Sequence, residues 1–169
     1  MSAYFRAMKQ DLSITRFPTF ADLMYYMEGS AIPVGRAMTY ILGVRSPFTL
    51  PQALPRADSL SVAMQLSNFW RDIGQDWQIG RVYLPQEDLE RFQVKEEYQI
   101  ERTQAFYTHA YPGVTMLASG RLGVMLGLKV YRAILTDIRR HQYDVFRHRA
   151  RASLLEKLAW VATSWWEVR

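Results

Sequence analysis

The chain has 169 residues, of which 49% are hydrophobic and 22% are charged, and its formal net charge is +5. A chain of this size buries about 70% of its unfolded surface, enough for one soluble domain, which we expect to span residues 1–169. It has no cysteine, which excludes a disulfide framework and a thiol nucleophile. Its longest wholly apolar or glycine run, 122–128, is far shorter than the ~20 residues that span a bilayer.

Helical periodicity dominates the chain, and there is almost no strand signal. Apolar residues at helical spacing predict a helix over 20–42, interrupted near Gly29 and Pro33. The segment 45–58 contains three prolines and is predicted to be a loop. Further along, the pattern predicts a loop over 78–88 and helices over 94–110, 116–140 and 153–166. Pro112 and Gly113 are expected to break a helix or to start a new one. The fold class is therefore all-α.

The helix after the proline-rich segment, which Asp58 or Ser59 is expected to cap, carries the most informative pattern. Asn68, Asp72 and Asp76 follow one another at intervals of four residues. Each such step turns only ~40° around a helix, so the three side chains form one row, here called the oxygen stripe. A sparse row of oxygen ligands suits Mg²⁺, which keeps several waters and bridges carboxylates to substrate phosphates. Spacing alone leaves a second interpretation open, a solvated face whose aspartates pair with arginines.

The residues around the stripe carry a family resemblance. Residues 65–76, which end in Arg-Asp-Ile-Gly-Gln-Asp, and residues 80–85, Gly-Arg-Val-Tyr-Leu-Pro, resemble the second aspartate-rich motif of the squalene/phytoene synthase family and the segment after it. Residues 131–146, which end in Tyr-Asp-Val-Phe, are similar to the family's late helix and turn. Residues 30–36, Ser-Ala-Ile-Pro-Val-Gly-Arg, resemble the squalene and hydroxysqualene branch. The resemblance covers nearly the whole chain and implies an isoprenoid-synthase-type helical bundle around a central cavity.

The resemblance also implies an activity. Family members join two prenyl diphosphates head to head in isoprenoid biosynthesis, so a Mg²⁺-dependent prenyltransferase acting on farnesyl or geranylgeranyl diphosphate is expected, with the squalene branch slightly favoured. That branch would add NADPH as a reductant. The oxygen stripe would hold the metal, Asp72, Asp76 and Arg71 would be catalytic, and Arg71, Arg81 and Tyr83 would bind the diphosphate. Alternatively, Arg71 pairs with an acidic residue of a neighbouring helix and Tyr83 packs as a core aromatic.

A substrate pocket should be apolar and aromatic, since carbocations need a cavity without stray nucleophiles. The candidates by resemblance are Tyr26, Glu28, Gln65, Leu66 and Phe69. Glu28 departs from the tyrosine that the phytoene branch has at the matching position, which argues against a phytoene product. Aromatic residues at helical spacing also suit an ordinary core, so that interpretation stays open.

The family's first aspartate-rich motif, D-x-x-x-D, has no match, because Asp11, Asp22 and Asp58 are isolated. We therefore expect the chain to be the C-terminal part of a family domain, N-terminally incomplete and inactive by itself. Its exposed cavity wall would then favour self-association. The alternative is a non-catalytic family member that acts as an assembly or interaction module; the missing motif favours that alternative, whereas the retained stripe argues against it.

Basic residues are concentrated in 129–151, which holds seven arginines and lysines against two aspartates. A solvated helix face is the first interpretation and a peripheral contact with an anionic membrane the second. No nucleic-acid motif accompanies the charge, so nucleic acid is not expected as a partner. Trp160, Trp165 and Trp166 would suit a membrane interface, but we favour the inner face of a terminal helix. No secretory signal is apparent, so a cytoplasmic location is expected.

The histidines and glycines give little indication of other chemistry. His109, His141 and His148 are not spaced as a metal site, and no Ser/His/Asp arrangement is apparent. Gly120, Gly123 and Gly127 lack the strand–loop–helix context of a nucleotide fingerprint and are expected to allow close helix packing.

Overall fold

The computed structural model describes residues 2–90 and 96–168, and these residues form eight α-helices. Two isolated bridges are the only strand-like pairings within those ranges, so the predicted all-α class is confirmed. In chain order the helices are α1 (Ser2–Gln10), α2 (Phe20–Gly29), α3 (Ile32–Leu42), α4 (Leu50–Gln78), α5 (Gln86–Glu90), α6 (Glu96–Met116), α7 (Arg121–Arg140) and α8 (Leu154–Glu167).

The predicted interruption near Gly29 and Pro33 is confirmed, because α2 and α3 are separate helices. Thr19 caps α2: its hydroxyl accepts a hydrogen bond from the Asp22 backbone N–H at 3.1 Å, and the Asp22 carboxylate accepts one from the Thr19 N–H at 3.0 Å. Pro33 is tolerated because it lies in the first turn of α3, where a backbone N–H has no helical partner.

The long helix α4 begins at Leu50, well before the predicted N-cap, so the prediction of a continuous loop up to residue 58 was wrong. The Thr49 backbone N–H donates to the Gln52 side chain at 2.9 Å, which caps the helix. Pro51 lies in the first turn, where proline is favoured. Pro55 lies inside the helix but is exposed, so its missing backbone hydrogen bond falls on the solvent side.

Helix α6 continues through Pro112 and Gly113, so the predicted break there was also wrong. Gly113 has a packing role: a Cβ at this position would lie only 2.3 Å from the Cβ of Arg56. The missing side chain lets α6 lie close against α4 at this point. The predicted start of this helix, residue 94, lies outside the described residues.

Helix α4 is central and packs against α2, α3, α6 and α7. Two buried hydrogen bonds join it to α6. The Trp70 indole N–H donates to the Thr103 hydroxyl at 2.7 Å, and the hydroxyls of Ser67 and Tyr107 are 2.8 Å apart. Because a buried polar group that loses its partner costs about 1–3 kcal/mol, these pairs fix the rotation of α4 about its axis. They thereby fix the direction in which the oxygen stripe faces.

The last helix, α8, follows Ser153 as its N-cap, close to the predicted start. It presents apolar side chains to solvent: Leu155 is 78% exposed, Trp166 71% and Trp165 43%. The inner-face interpretation was therefore wrong for Trp165 and Trp166, whereas Trp160 is half-buried. No described helix is both long enough and apolar enough to cross a membrane. Peripheral membrane contact and self-association stay predictions.

Candidate active site

Helix α4 places the oxygen stripe on consecutive turns. Because each four-residue step drifts by ~40°, the first and last members point about 80° apart. Asn68 accordingly lines a large apolar cavity, whereas Asp76 lines a small recess together with Arg81 and Tyr83. Asp72 lies one turn from each of them. The stripe therefore leads from an apolar chamber to a small recess whose polar side chains are Asp76, Arg81 and Tyr83.

The large cavity has a volume of about 520 Å³ and lies between α3, α4, α6 and α7. This volume is in the range of small-molecule binding sites. Gly35 lets α3 approach α4 along the wall, since a Cβ there would lie 1.9 Å from the Ser61 Oγ. Gln65 and Asn68 contribute polar groups to a lining that is mainly apolar. Its aliphatic members include Val34, Met38, Leu42, Leu60, Met64 and Val124.

The three members of the stripe differ in their partners. The Asn68 Oδ1 is buried and accepts no hydrogen bond from any described residue. The Asp72 carboxylate accepts from Arg71 at 2.5 and 2.9 Å and from Arg149 at 2.9 Å. Within 2–90 and 96–168, no basic side chain forms an ion pair with Asp76. An orphaned amide oxygen beside two carboxylates is a hard oxygen donor set that fits Mg²⁺.

The pKa values of the two carboxyl groups are shifted in opposite directions. Burial alone would raise the pKa of Asp72, but the hydrogen bonds from Arg71 and Arg149 outweigh it and lower that pKa below its ordinary value. Burial and the neighbouring Asp72 charge raise the pKa of Asp76, against a smaller lowering effect of Arg81. The Asp76 carboxylate is therefore the member whose charge is least compensated by the protein itself.

Asparagine substitutions at these positions are expected to change the free energy of unfolding in opposite directions when Mg²⁺ is absent. A carboxylate with a lowered folded pKa contributes stability above its unfolded pKa, so Asp72→Asn should destabilise the chain at pH 7. A carboxylate with a raised folded pKa costs stability once it is ionised, so Asp76→Asn should stabilise it. Urea unfolding measures both changes.

The pH dependence provides the control for this prediction. As the pH falls through the folded pKa of Asp72, the wild type loses the stability that this carboxylate contributes. The difference in free energy of unfolding between the wild type and Asp72→Asn should therefore become smaller. Equal destabilisation by both substitutions at pH 7 would contradict the assigned shifts.

Arg81 and Tyr83 form the recess beside Asp76. Arg81 donates to the Tyr83 hydroxyl at 3.2 Å and to the backbone carbonyl of Asp11 at 2.7 Å. The Tyr83 ring stacks on Phe69, with centroids 4.0 Å apart and planes 7° from parallel. Burial raises the pKa of Tyr83, so its hydroxyl remains protonated at neutral pH. Tyr83 thus combines a packed ring with a polar group at the recess.

The structure separates the five residues predicted to form the substrate pocket. Gln65 lines the large cavity, and Phe69 lines the recess. Leu66 and Tyr26 are buried in the core, and Glu28 is exposed. Only one of the five therefore contacts the large cavity, and the assignment of the set to a substrate pocket stays a prediction.

Arg149 is the site residue that sequence reasoning missed. It lies 77 residues from Asp72 in the chain, and its guanidinium Nε donates to that carboxylate at 2.9 Å. Asp137 anchors the surrounding segment, because its carboxylate lies 2.9 Å from the His148 Nε2 and accepts from the Arg151 backbone N–H at 3.0 Å. The basic character of this stretch is the available sequence signal, and it does not single out one arginine.

Comparison with protein families decides which family these features belong to. The family model described as squalene/phytoene synthase matches residues 1–156. The chain belongs to the squalene/phytoene synthase family. It is 33% identical to a 15-cis-phytoene synthase of Synechococcus elongatus and 34% identical to a phytoene synthase of Arthrospira platensis. In both cases the match covers 89% of this chain and 57% of the relative, so the chain spans little more than half the length of these relatives.

Two solved structures have the same fold as this squalene/phytoene synthase family member. A dehydrosqualene synthase in complex with ligand superposes with a TM-score of 0.82 at 22% identity, over 98% of this chain and 63% of that one. A squalene synthase from Alicyclobacillus acidocaldarius gives a TM-score of 0.73 at 26% identity, over 84% and 59%. The predicted isoprenoid-synthase-type helical bundle is confirmed.

The expected preference for the squalene and hydroxysqualene branch is not supported. The curated relatives reported above are phytoene synthases, although residues 30–36 resemble the other branch. NADPH, which was expected only with that branch, has no support from them either.

Proposed function

We propose that this squalene/phytoene synthase family chain binds a prenyl diphosphate together with Mg²⁺. We propose further that it takes part in the head-to-head condensation of that diphosphate with a second prenyl diphosphate. The observation that carries the proposal is the position of the oxygen stripe: Asn68 lies in the wall of the apolar cavity, and its buried side-chain oxygen has no hydrogen-bond partner among the described residues. A diphosphate at the stripe would place its hydrocarbon chain in that cavity.

The oxygen stripe would assist the step in which the prenyl diphosphate ionises to a carbocation and free diphosphate. Diphosphate is a poor leaving group until its charge is neutralised, and Mg²⁺ held by Asn68, Asp72 and Asp76 would supply the Lewis acid. Arg71 and Arg149 now bind Asp72. When a cation takes over that carboxylate, their guanidinium groups become available as donors to diphosphate oxygens.

The recess and the cavity would have separate roles. Arg81 and Tyr83 would donate to the same diphosphate, while the cavity keeps the hydrocarbon away from water. The aliphatic hydroxyls of its wall, on Ser30, Thr39 and Ser61, each donate to the backbone carbonyl four residues earlier. The O–H groups of these three side chains are therefore directed at helix backbone carbonyls and not into the cavity.

Calorimetric titration tests the binding step. Mg²⁺ alone is expected to bind weakly, because one amide and two carboxylates leave most of its octahedral shell to water. Geranylgeranyl thiodiphosphate, chosen because the curated relatives are phytoene synthases, should bind at least about tenfold more tightly with Mg²⁺ than without it. Tight binding of Mg²⁺ without diphosphate, or equal affinity for the analogue with and without Mg²⁺, would contradict the proposal.

A condensation assay tests the reaction itself. Radiolabelled geranylgeranyl diphosphate and Mg²⁺ are supplied to the protein at its natural length, and the hydrocarbon products are separated. Phytoene is the expected product. Binding of the analogue without any product would instead favour the assembly or interaction module.

A further inference from the structure

A second cluster of ligating side chains lies at the C-terminal end of α7. One ring nitrogen of His141, one of His148 and a carboxylate oxygen of Asp137 all lie within 4.8 Å of one another. The Asp137 Oδ1 is 3.4 Å from the His141 Nδ1, and the Asp137 Oδ2 is 2.9 Å from the His148 Nε2. The His141 Nδ1 also lies 2.9 Å from the Asp137 backbone carbonyl oxygen. The two imidazole rings stack, with centroids 3.5 Å apart and planes 16° from parallel. The fold thus brings together histidines whose spacing does not indicate a metal site.

The distances within this cluster suit a tetrahedral metal ion. Zinc–nitrogen and zinc–oxygen bonds are about 2.0–2.2 Å, which places two ligand atoms at a tetrahedral angle about 3.4 Å apart. The 3.4 Å between the Asp137 Oδ1 and the His141 Nδ1 equals that value, whereas the 2.9 Å between the Asp137 Oδ2 and the His148 Nε2 is a hydrogen-bond distance that would lengthen on metal binding. Two imidazoles with one carboxylate favour zinc, copper or nickel over Mg²⁺.

The surrounding charges leave room for a cation. Three nearby arginines each form an ion pair with a carboxylate outside the cluster: Arg139 with Glu97, Arg140 with Glu156, and Arg149 with Asp72. The Asp137 side chain is only 14% exposed, whereas that of His141 is 43% exposed. The cluster therefore combines a largely buried carboxylate with an open side through which an ion can enter.

We propose that Asp137, His141 and His148 bind one transition-metal ion of the zinc class, with water as a fourth ligand. The site shares no ligand with the oxygen stripe and does not depend on the proposed function. Its two histidines bracket the segment that leads to Arg149. A bound ion would fasten this segment to α7 and so hold in place the arginine that contacts Asp72.

Competition with a chromophoric zinc indicator tests this proposal on the chain without an affinity tag, after dialysis against a chelator. One equivalent of zinc is expected to bind, and His141→Ala and His148→Ala should each weaken its affinity at least about tenfold. His109→Ala is the matched control, because the chain has three histidines and no cysteine. That variant should bind zinc as the wild type does.

A melting experiment separates loss of the site from loss of the fold. Zinc should raise the melting temperature of the wild type but not that of His141→Ala. Helical circular dichroism verifies that this variant is folded. The proposal is overturned if the wild type binds zinc no more tightly than the double His141/His148 alanine variant, if His109→Ala loses affinity equally, or if excess Mg²⁺ displaces the zinc.

Discussion

Asp76→Asn is expected to lower the affinity of the chain for geranylgeranyl thiodiphosphate about 100-fold in the presence of Mg²⁺. A hydrogen bond or ligand contact to a charged group is worth about 1.5–3 kcal/mol, and the upper part of this range corresponds to about 100-fold in Kd. The Asp76 carboxylate has no ion-pair partner among the described residues, so it is available to a cation without displacing an arginine. Calorimetry of the variant with the analogue measures the change.

The same substitution is expected to stabilise the chain in the absence of Mg²⁺, so unfolding would not explain a loss of binding. Asp58→Asn is the matched control, since Asp58 lies on the same helix and pairs with Arg36 at 2.6 Å. It should leave the affinity for the analogue unchanged. If Asp76→Asn binds the analogue as tightly as the wild type does, the oxygen stripe is not part of the diphosphate site.

Gly127→Phe is expected to reduce the affinity for geranylgeranyl thiodiphosphate about 100-fold while affecting the farnesyl analogue less. Gly127 lines the large cavity, and a Cβ there would contact only the Met64 methyl group, at 3.5 Å. The backbone therefore accepts a side chain that then fills part of the chamber. One isoprene unit buries about five carbon groups, worth about 4 kcal/mol at about 0.8 kcal/mol for each CH₂, and losing about two thirds of that contact corresponds to about 100-fold in Kd. Parallel titrations with the two analogues measure the discrimination.

Thr136→Phe is the control for this cavity-filling variant. Thr136 lies on the same helix but is exposed, so an added aromatic ring there should change neither affinity. Equal losses for both analogues in Gly127→Phe would indicate that the cavity does not hold the end of the hydrocarbon chain.

Local spacing was sufficient to predict the oxygen stripe. Asn68, Asp72 and Asp76 depend only on helical geometry, and their helix is continuous from Leu50 to Gln78. The start of this helix was misplaced because prolines usually signal a loop, whereas Pro51 and Pro55 occupy positions where a missing N–H is tolerated.

Contacts between distant segments could not be read from spacing. Arg149 reaches Asp72 from the far end of the chain. Likewise, His141 and His148 meet only because the segment after α7 folds back on Asp137. Residue spacing also did not reveal burial: Gln65 and Leu66 are neighbours on α4, yet Leu66 is in the core and Gln65 lines the cavity. These outcomes depend on how helices pack, which the local spacing of residues along the chain does not reveal.

The ion pair between Asp72 and Arg149 also has a consequence for biosynthesis. The two residues are 77 positions apart, and a ribosome adds about 5–20 residues per second. Asp72 is therefore made about 4–15 s before the arginine that will compensate it. During that interval Arg71, the residue before Asp72 in the chain, is already present and can pair with its carboxylate. The site therefore reaches its resting electrostatic state only after Arg149 has been added to the chain.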